Sequence, residues 1–330
     1  MEGENRMKRM LCLLIALLLL PCAALGEDVP EGALYRAKVY RNTGMREEPT
    51  KESPYGAVAQ QGDWAYILEY GPDWCYCSYN GSEGWLMTER LYELWKVSDA
   101  PLPGWTAMSG VACITKETHV ENSGYTGNDL QPGYLVSVMN EQGDIPMMRG
   151  SARLEEGSFV YMPFVSTEDA GPGDLLYAFT TWYNERTGIS KGADLARGRR
   201  KNIELGVERV NGALVAPGEQ FSFNALCAPY TARNGYVKAP NISVEGVGVS
   251  GGVCQISTTI YEAMLGLDVR LDEWGVHRYT GVQYAPVNLD CAVATWKDFA
   301  FTNTYNFPLT LRVVEQEGAL TALFFRAEND

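Results

Sequence analysis

The chain has 330 residues, of which 46% are hydrophobic and 21% charged, enough for two or three domains that each bury a core. Its formal charge of −14 excludes the phosphate-neutralising chemistry of nucleic-acid binders and disfavours unspecific adhesion to anionic membranes or wall polymers. With 19 Tyr and 8 Trp, the composition is that of ordered, β-rich domains and not of a disordered chain.

Residues 1–26 read as a signal peptide. Lys8 and Arg9 are a positive start, Met10 to Leu20 is an apolar run, and "PCAALG" supplies small residues for cleavage near Ala24 or Gly26. The run is too short for an ordinary spanning helix, and no other segment is apolar enough to cross a membrane. The expectation is export, to the extracellular space or the cell wall. Lipid anchoring at Cys22 is disfavoured by Pro21 before it. Cys12 and Cys22 fall in this segment, which leaves Cys75, Cys77, Cys113, Cys227, Cys254 and Cys291. An even number permits disulfides in an exported chain, including Cys254 with Cys227 or Cys291. Cys75 and Cys77, two apart in a strand, share a face and are read as packing there. No CxxC, HExxH or Cys/His cluster suggests a metal, and no cofactor is expected.

Residues 34–95 read as short strands. "WAYILEY" is rich in strand formers, "YGPD" is a turn, "WCYCSY" alternates, "NG" signals a hairpin and "EGWLM" is a further strand. Gly62-Asp63-Trp64, Trp74, the "YNG" hairpin and Gly84-Trp85 together resemble the bacterial SH3-like domain, a small barrel of exported wall proteins. That resemblance implies binding to peptidoglycan or its stem peptides. The tryptophans equally read as barrel core. "SDAPLPGW" from Ser98 is a linker. Residues 109–166 are β-rich again and are read as a second, divergent SH3-like domain, with His119 an ordinary surface histidine. "STEDAGPGD" from Ser166 reads as another linker.

A third domain is expected over 172–330. "ADLARGRRKNIELGVERVNG" spaces Leu195, Ile203, Val207 and Val210 as one helical face, with Asn211-Gly212 as its stop. Its basic cluster, Arg197, Arg199, Arg200 and Lys201, is a solvated face or a carboxylate- or phosphate-contacting patch. "PGEQFSFN" is a turn and short strand, and "ARNGY" a further turn. A glycine-rich loop then ends in Cys254, followed by Ile256, Ile260, Ala263, Met264 and Leu267 at helical spacing, so Cys254 falls in a first helical turn. Strands are expected at "DVRLDEW", "VQYAP", "DCAVATW", "FAFTNTY", "LTLRVV" and "LTALFFRAE". The fold class is therefore α+β, helices on a mainly antiparallel sheet, preceded by one or two small all-β barrels.

The segments "VNGALVAPGEQFSFN", "GGVCQISTTIYEAML", "VHRYTGVQYAP", "DCAV" and "FTNTYNFPLTL" resemble the VanW family in order and spacing, from about Leu175 to Val314. The resemblance implies an exported bacterial envelope protein. It also implies a link to vancomycin-resistance gene clusters, from which the family takes its name, and it supplies no reaction. This sequence departs from the family pattern at Arg278 and Cys291, neither of which removes a candidate side chain.

Two functions from different classes remain. The first is a binding protein that holds peptidoglycan or its stem peptides through the SH3-like domains and presents a glycine-rich cleft, with Gly251, Gly252, Gln255, Ser257 and Thr258 as ligand contacts. The hydroxyls are equally read as groups satisfying the helix start. The second is a cell-wall cysteine peptidase, amidase or transpeptidase of papain-like or transglutaminase-like layout. There Cys254 attacks, His277 takes the proton, Asp290 on the next strand holds the imidazole, and Gln255 or loop N–H groups stabilise the oxyanion. The sequence leaves the oligomeric state open.

Overall fold

The computed structural model describes residues 29–328 except 72, 98–106, 123–124, 148–150, 184–192, 243–245, 278–281 and 287–288. The segments read as a signal peptide (1–26) and as a linker ("SDAPLPGW") lie outside the described residues. Residues 29–32 end in a turn with Gly32 at φ 78°. Strands β1 (Tyr35–Val39), β2 (Thr43–Arg46), β3 (Tyr55–Ala59), β4 (Trp64–Glu69), β5 (Trp74–Tyr79), β6 (Ser82–Met87) and β7 (Leu91–Lys96) form one antiparallel sheet in the order β3-β2-β6-β5-β4-β1-β7. The β5–β6 hairpin turns on Asn80 (φ 48°) and Gly81 (φ 77°), the left-handed pair that a two-residue turn requires. Alternation in β5 buries Cys75 and Cys77 beside Tyr35, Ile67 and Leu86. Trp64, Trp74 and Trp85 take the other, partly exposed face, so they are not the core. Arg36 and Lys38 lie over the Trp64 ring at 4.7 and 5.0 Å.

Among the described residues the middle region forms three small sheets. Strands β8 (Gly110–Ile114), β11 (Leu135–Val138) and β14 (Phe159–Pro163) make one, β9 (Thr118–Asn122) and β10 (Tyr125–Leu130) a second, and β12 (Asp144–Pro146) and β13 (Ser151–Arg153) a third. No closed barrel is found among the described residues here or in the first sheet, so the structure supports the coarser reading of antiparallel sheets with few helices. His119 is exposed and its Nδ1 lies 2.6 Å from Asp129 Oδ1. The "STEDAGPGD" stretch is not a free linker. Gly173 donates to the Arg326 carbonyl at 2.8 Å and Arg326 donates to the Ala170 carbonyl.

In the C-terminal region, β15 (Leu175–Trp182), β16 (Ala213–Val215), β22 (Leu309–Gln316) and β23 (Ala319–Arg326) form an antiparallel sheet, order β15-β23-β22-β16. Strands β17 (Gln220–Ser222), β20 (Arg270–Glu273) and β21 (Ala300–Thr302) form another, and β18 (Lys238–Pro240) pairs with β19 (Val247–Val249). Helix α1 (Ala193–Val210) is the helix expected from the sequence and ends at Gly212, φ 85°. Helix α2 (Phe223–Cys227) completes the "FSFN" segment, capped by Ser222 Oγ accepting from Ala225 N at 3.0 Å. Two expected strands are absent. "VQYAP" is a bend, and "DCAVATW" is irregular up to an isolated Ala294–Lys297 bridge. In "DCAVATW" the backbone groups go to the Ser257 and Thr258 hydroxyls, the Gly275 carbonyl and a local Ala294–Lys297 turn instead of to a ladder.

Helix α3 (Val253–Met264) is buried on every side except at Cys254, not along one face as its spacing suggests. It packs against β15 and β23 on one side and α1 on another. Its far end meets the first sheet. Residues 33–330 form one compact unit. Tyr261 stacks on Trp274 at 5.1 Å, Trp274 meets Trp95 edge-on at 6.3 Å, and the Tyr261 hydroxyl donates to the Leu94 carbonyl at 3.4 Å. Lys96 Nζ donates to the Leu265 and Leu267 carbonyls at 3.3 and 3.2 Å, where a cation complements the negative end of the helix. Emptying this junction with Tyr261→Ala is expected to cost about 3–5 kcal/mol, the usual loss for a fully buried aromatic. Urea unfolding checks it, and a loss below about 1 kcal/mol would mean that the junction does not hold the parts together.

Candidate active site

Cys254 is the second residue of α3, after Gly252 and Val253. Gly252 caps the helix at φ 106°, a conformation that residues with a side chain rarely adopt. A Cβ there would meet Arg199 Cγ at 3.0 Å and Ile203 Cγ1 at 3.1 Å, both on α1. At Gly251 a Cβ would collide with the carbonyls of Pro240 and Ala239. The two glycines are thus explained by the close approach of protein backbone and helix α1.

The structure brings Cys254, His277 and Asp290 together. His277 Nδ1 lies 2.5 Å from Asp290 Oδ2, and the same oxygen accepts the His277 backbone N–H at 2.9 Å. His277 also hydrogen-bonds the Cys254 sulfur. Cys254 Sγ further contacts the Val293 carbonyl at 3.5 Å. His277 and Asp290 sit on irregular segments and not on the adjacent strands expected for them. Those segments are held side by side by Ala292 N–H to the Gly275 carbonyl at 2.7 Å and by Trp274 Nε1–H to the Asp290 carbonyl at 3.1 Å. The His277 and Asp290 side chains are 17% and 6% exposed, which shields their pairing from water.

The electrostatics distinguish this thiol from the others. Burial works against the Cys254 thiolate, but the His277 hydrogen bond and charge outweigh it and bring the pKa below the ordinary thiol value. Burial likewise opposes the imidazolium, yet the bonds to Asp290 and Cys254 raise His277 to about 10. Burial pushes Cys75, Cys77 and Cys291 up, and Cys227 up to about 12. All six cysteines from Cys75 onward are free, so Cys254 is not paired with Cys227 or Cys291. Among the described residues no group of His, Cys, Asp and Glu has the arrangement to hold a metal ion.

The other expected contacts face inward. The Gln255 side chain is fully buried, accepting from Arg199 Nη2 at 2.6 Å and donating to Thr181 Oγ1 at 3.0 Å. Both of its ends are engaged by protein, so it is not the oxyanion donor foreseen for it. Ser257 Oγ donates to the Cys254 and Cys291 carbonyls at 3.1 and 2.7 Å. Thr258 Oγ1 donates to the Cys254 carbonyl at 2.7 Å and accepts from Cys291 N at 2.9 Å. These two hydroxyls clasp the chain beside Asp290 to the helix start. Tyr284 and Tyr230 were not foreseen. Tyr284 hydrogen-bonds Thr258, and both rings lie in the field of Cys254. Nothing in the local pattern around either tyrosine marks it, because both arrive from distant loops.

Residues 198–325 match the protein family described as VanW like protein. Residues 198–325 are therefore a VanW-family domain. Cys254, His277, Asp290 and Arg199 all fall within it. The chain is also 34% identical over 142 residues to the Uncharacterized protein YoaR of Bacillus subtilis (strain 168), covering 40% of this chain and 44% of that relative. It therefore spans less than half the length of that protein. No solved structure matches the chain. Among the described residues no helix is long and apolar enough to cross a membrane.

Two outcomes follow for the VanW domain. Alkylation of Cys254 is expected to be fast well below pH ~8.5 and to slow in His277→Ala, which returns the thiol toward its ordinary range. Mass-spectrometric assignment of the modified cysteine checks this, and a profile unmoved by His277→Ala would contradict the pairing. Gly252→Val is expected to destabilise the protein by about 1–2 kcal/mol or more, from positive φ together with contact against Arg199 and Ile203. Wild-type stability of that variant in urea would refute the assignment of Gly252 to backbone need.

Proposed function

We propose that this is an exported cell-envelope protein whose VanW domain performs cysteine-dependent acyl transfer on peptides of the cell wall. One observation carries the reading: a thiol at a buried helix start, bonded to a histidine whose other nitrogen is 2.5 Å from a buried aspartate. Asp290 fixes Nδ1 as the protonated nitrogen and leaves Nε2 for the sulfur. The Cys254 thiol gives its proton to His277 Nε2 as the sulfur attacks the substrate carbonyl carbon, and the carbonyl π electrons move to oxygen. The Cys254 backbone N–H, in the first helical turn and so without an intrahelical acceptor, stabilises that oxyanion with the positive end of the helix. On collapse the C–N bond breaks, His277 gives its proton to the leaving amine, and a thioester forms on Cys254. Water or a second amine then attacks the thioester and gives a proton to His277, the C–S bond breaks, and His277 passes that proton to the released sulfur to restore the thiol. Water makes the enzyme a peptidase or amidase, and an amine makes it a transpeptidase.

The binding function read first from the sequence is supported by a different part of the molecule. Trp64 beneath Arg36 and Lys38, with Trp85 against Tyr76 at 5.3 Å, gives the first sheet a partly exposed aromatic face. This face suits an SH3-like role in holding peptidoglycan near the VanW domain, so both readings describe one wall-associated protein. The catalytic reading is tested on isolated stem peptides with the mature protein. Cys254→Ala is expected to abolish turnover, and Asp290→Asn to lower kcat by roughly a hundredfold or more. Intact-mass measurement should find an acyl adduct on Cys254. Turnover surviving in Cys254→Ala would leave binding as the function.

A further inference from the structure

The basic cluster of α1 divides in the fold. Arg197 is exposed and pairs with Asp194, Arg200 pairs with Glu204 at 2.9 Å, and Lys201 is exposed. These belong to the solvated face. Arg199 turns the other way, over the start of α3. Its stem packs on the Gly252 position, and its Nη2 is held at 2.6 Å by the neutral oxygen of Gln255, the residue after Cys254. Its guanidinium lies 5.8 Å from the Tyr284 ring and 5.9 Å from the Tyr183 ring. Tyr284 in turn bonds Thr258 and senses the Cys254 charge.

Arg199 makes no ion pair with a carboxylate of the described residues, and its Nε is buried without an acceptor. A partly buried guanidinium normally has an anionic partner, because taking its charge out of water is costly when nothing compensates it. Here Gln255, itself fixed by Thr181 Oγ1, satisfies one edge and leaves the rest of the fork unneutralised. The two aromatic rings hold the cation in place without cancelling its charge. The arrangement is a positioned cation held on the residue next to a nucleophile, with no carboxylate paired to it among the described residues.

We propose that Arg199 binds a carboxylate of the peptide substrate beside Cys254, so that the site acts on an acyl group close to a free carboxylate. This rests on the acyl-transfer reading for the choice of substrate, while the binding site itself needs no thiol chemistry. Gln255 acts as the positioning residue that aims the guanidinium. A fork donor reads a carboxylate through two parallel bonds, which a lysine cannot reproduce.

The test uses Cys254→Ala protein, so that binding is measured without turnover. N-acetyl-trialanine, in L and D series, is titrated by calorimetry as the free acid and as the C-terminal amide. The acid is expected to bind at least about tenfold more tightly than the amide. Adding Arg199→Gln is expected to erase that difference, and Arg199→Lys, which keeps the charge and serves should the glutamine variant not fold, to narrow it. Equal binding of acid and amide, no measurable binding of either, or an unchanged preference in both Arg199 variants would overturn the proposal. An amide-ended peptide with a glutamate separates the two carboxylate sources: tight, Arg199-dependent binding assigns a side-chain carboxylate, and weak binding a terminal one. An Arg199-dependent preference in a protein whose wild type turns over no peptide would sink the acyl-transfer reading and leave the carboxylate site standing.

Discussion

The structure depends on burying a polar helix. Helix α3 is enclosed on all sides beyond Cys254, yet it carries Gln255, Ser257, Thr258 and Thr259. Polar groups out of water must find partners inside or cost on the order of 1–3 kcal/mol each. Thr259 meets Thr181 at 2.6 Å and the Gln255 carbonyl at 2.7 Å, and Gln255 joins Arg199 to Thr181. Ser257 and Thr258 reach the backbone of Cys291. These bonds fix the helix in rotation and translation. They also pin the residue after Asp290 to the helix start, so satisfying the burial sets the distance between the carboxylate and the thiol.

Charge is arranged along the same helix. At its start the thiol is brought below its ordinary pKa by His277, and at its end Lys96 from the first sheet covers the last carbonyls. Each placement agrees with the helix dipole, negative charge at the start and positive at the end. The first sheet therefore contributes to the scaffold of the VanW domain as well as presenting its own aromatic face. The middle region is tied in similarly. Gln316 brackets the Leu135 backbone with bonds of 2.7 and 2.8 Å, and Thr180 Oγ1 accepts from Ser137 N at 2.8 Å.

The contrast between Cys254 and Cys291 shows why position, not residue type, decides reactivity. Both belong to the VanW domain and both are free. Cys291 is fully buried with no imidazole beside it, and burial raises its pKa. Cys254 is partly exposed and shares a hydrogen bond with His277. The same logic separates Arg199 from Arg197 and Arg200, which have carboxylate partners at the surface.

The sequence by itself determined what local spacing controls. The period-two pattern of "WCYCSY", the left-handed Asn80-Gly81 turn, the helical spacing through α1 and the glycine stop at Gly212 all reappear, because each is set by residues near in the chain. The placement of Cys254 in a first turn, with His277 and Asp290 as its partners, was legible from their order and from the motif segments. Only the tertiary structure decided the rest. "VQYAP" and "DCAVATW" have strand composition but join no ladder; in the second, Cys291 and Ala292 bond Thr258 and Gly275 from other elements, and propensity gives way to those contacts. Gln255 looks like a donor for a ligand, yet its direction is set by Arg199 and Thr181 from distant elements. One of the three clustered arginines turns inward because Gly252 leaves room for its stem. That clearance exists only once α1 and α3 are packed together.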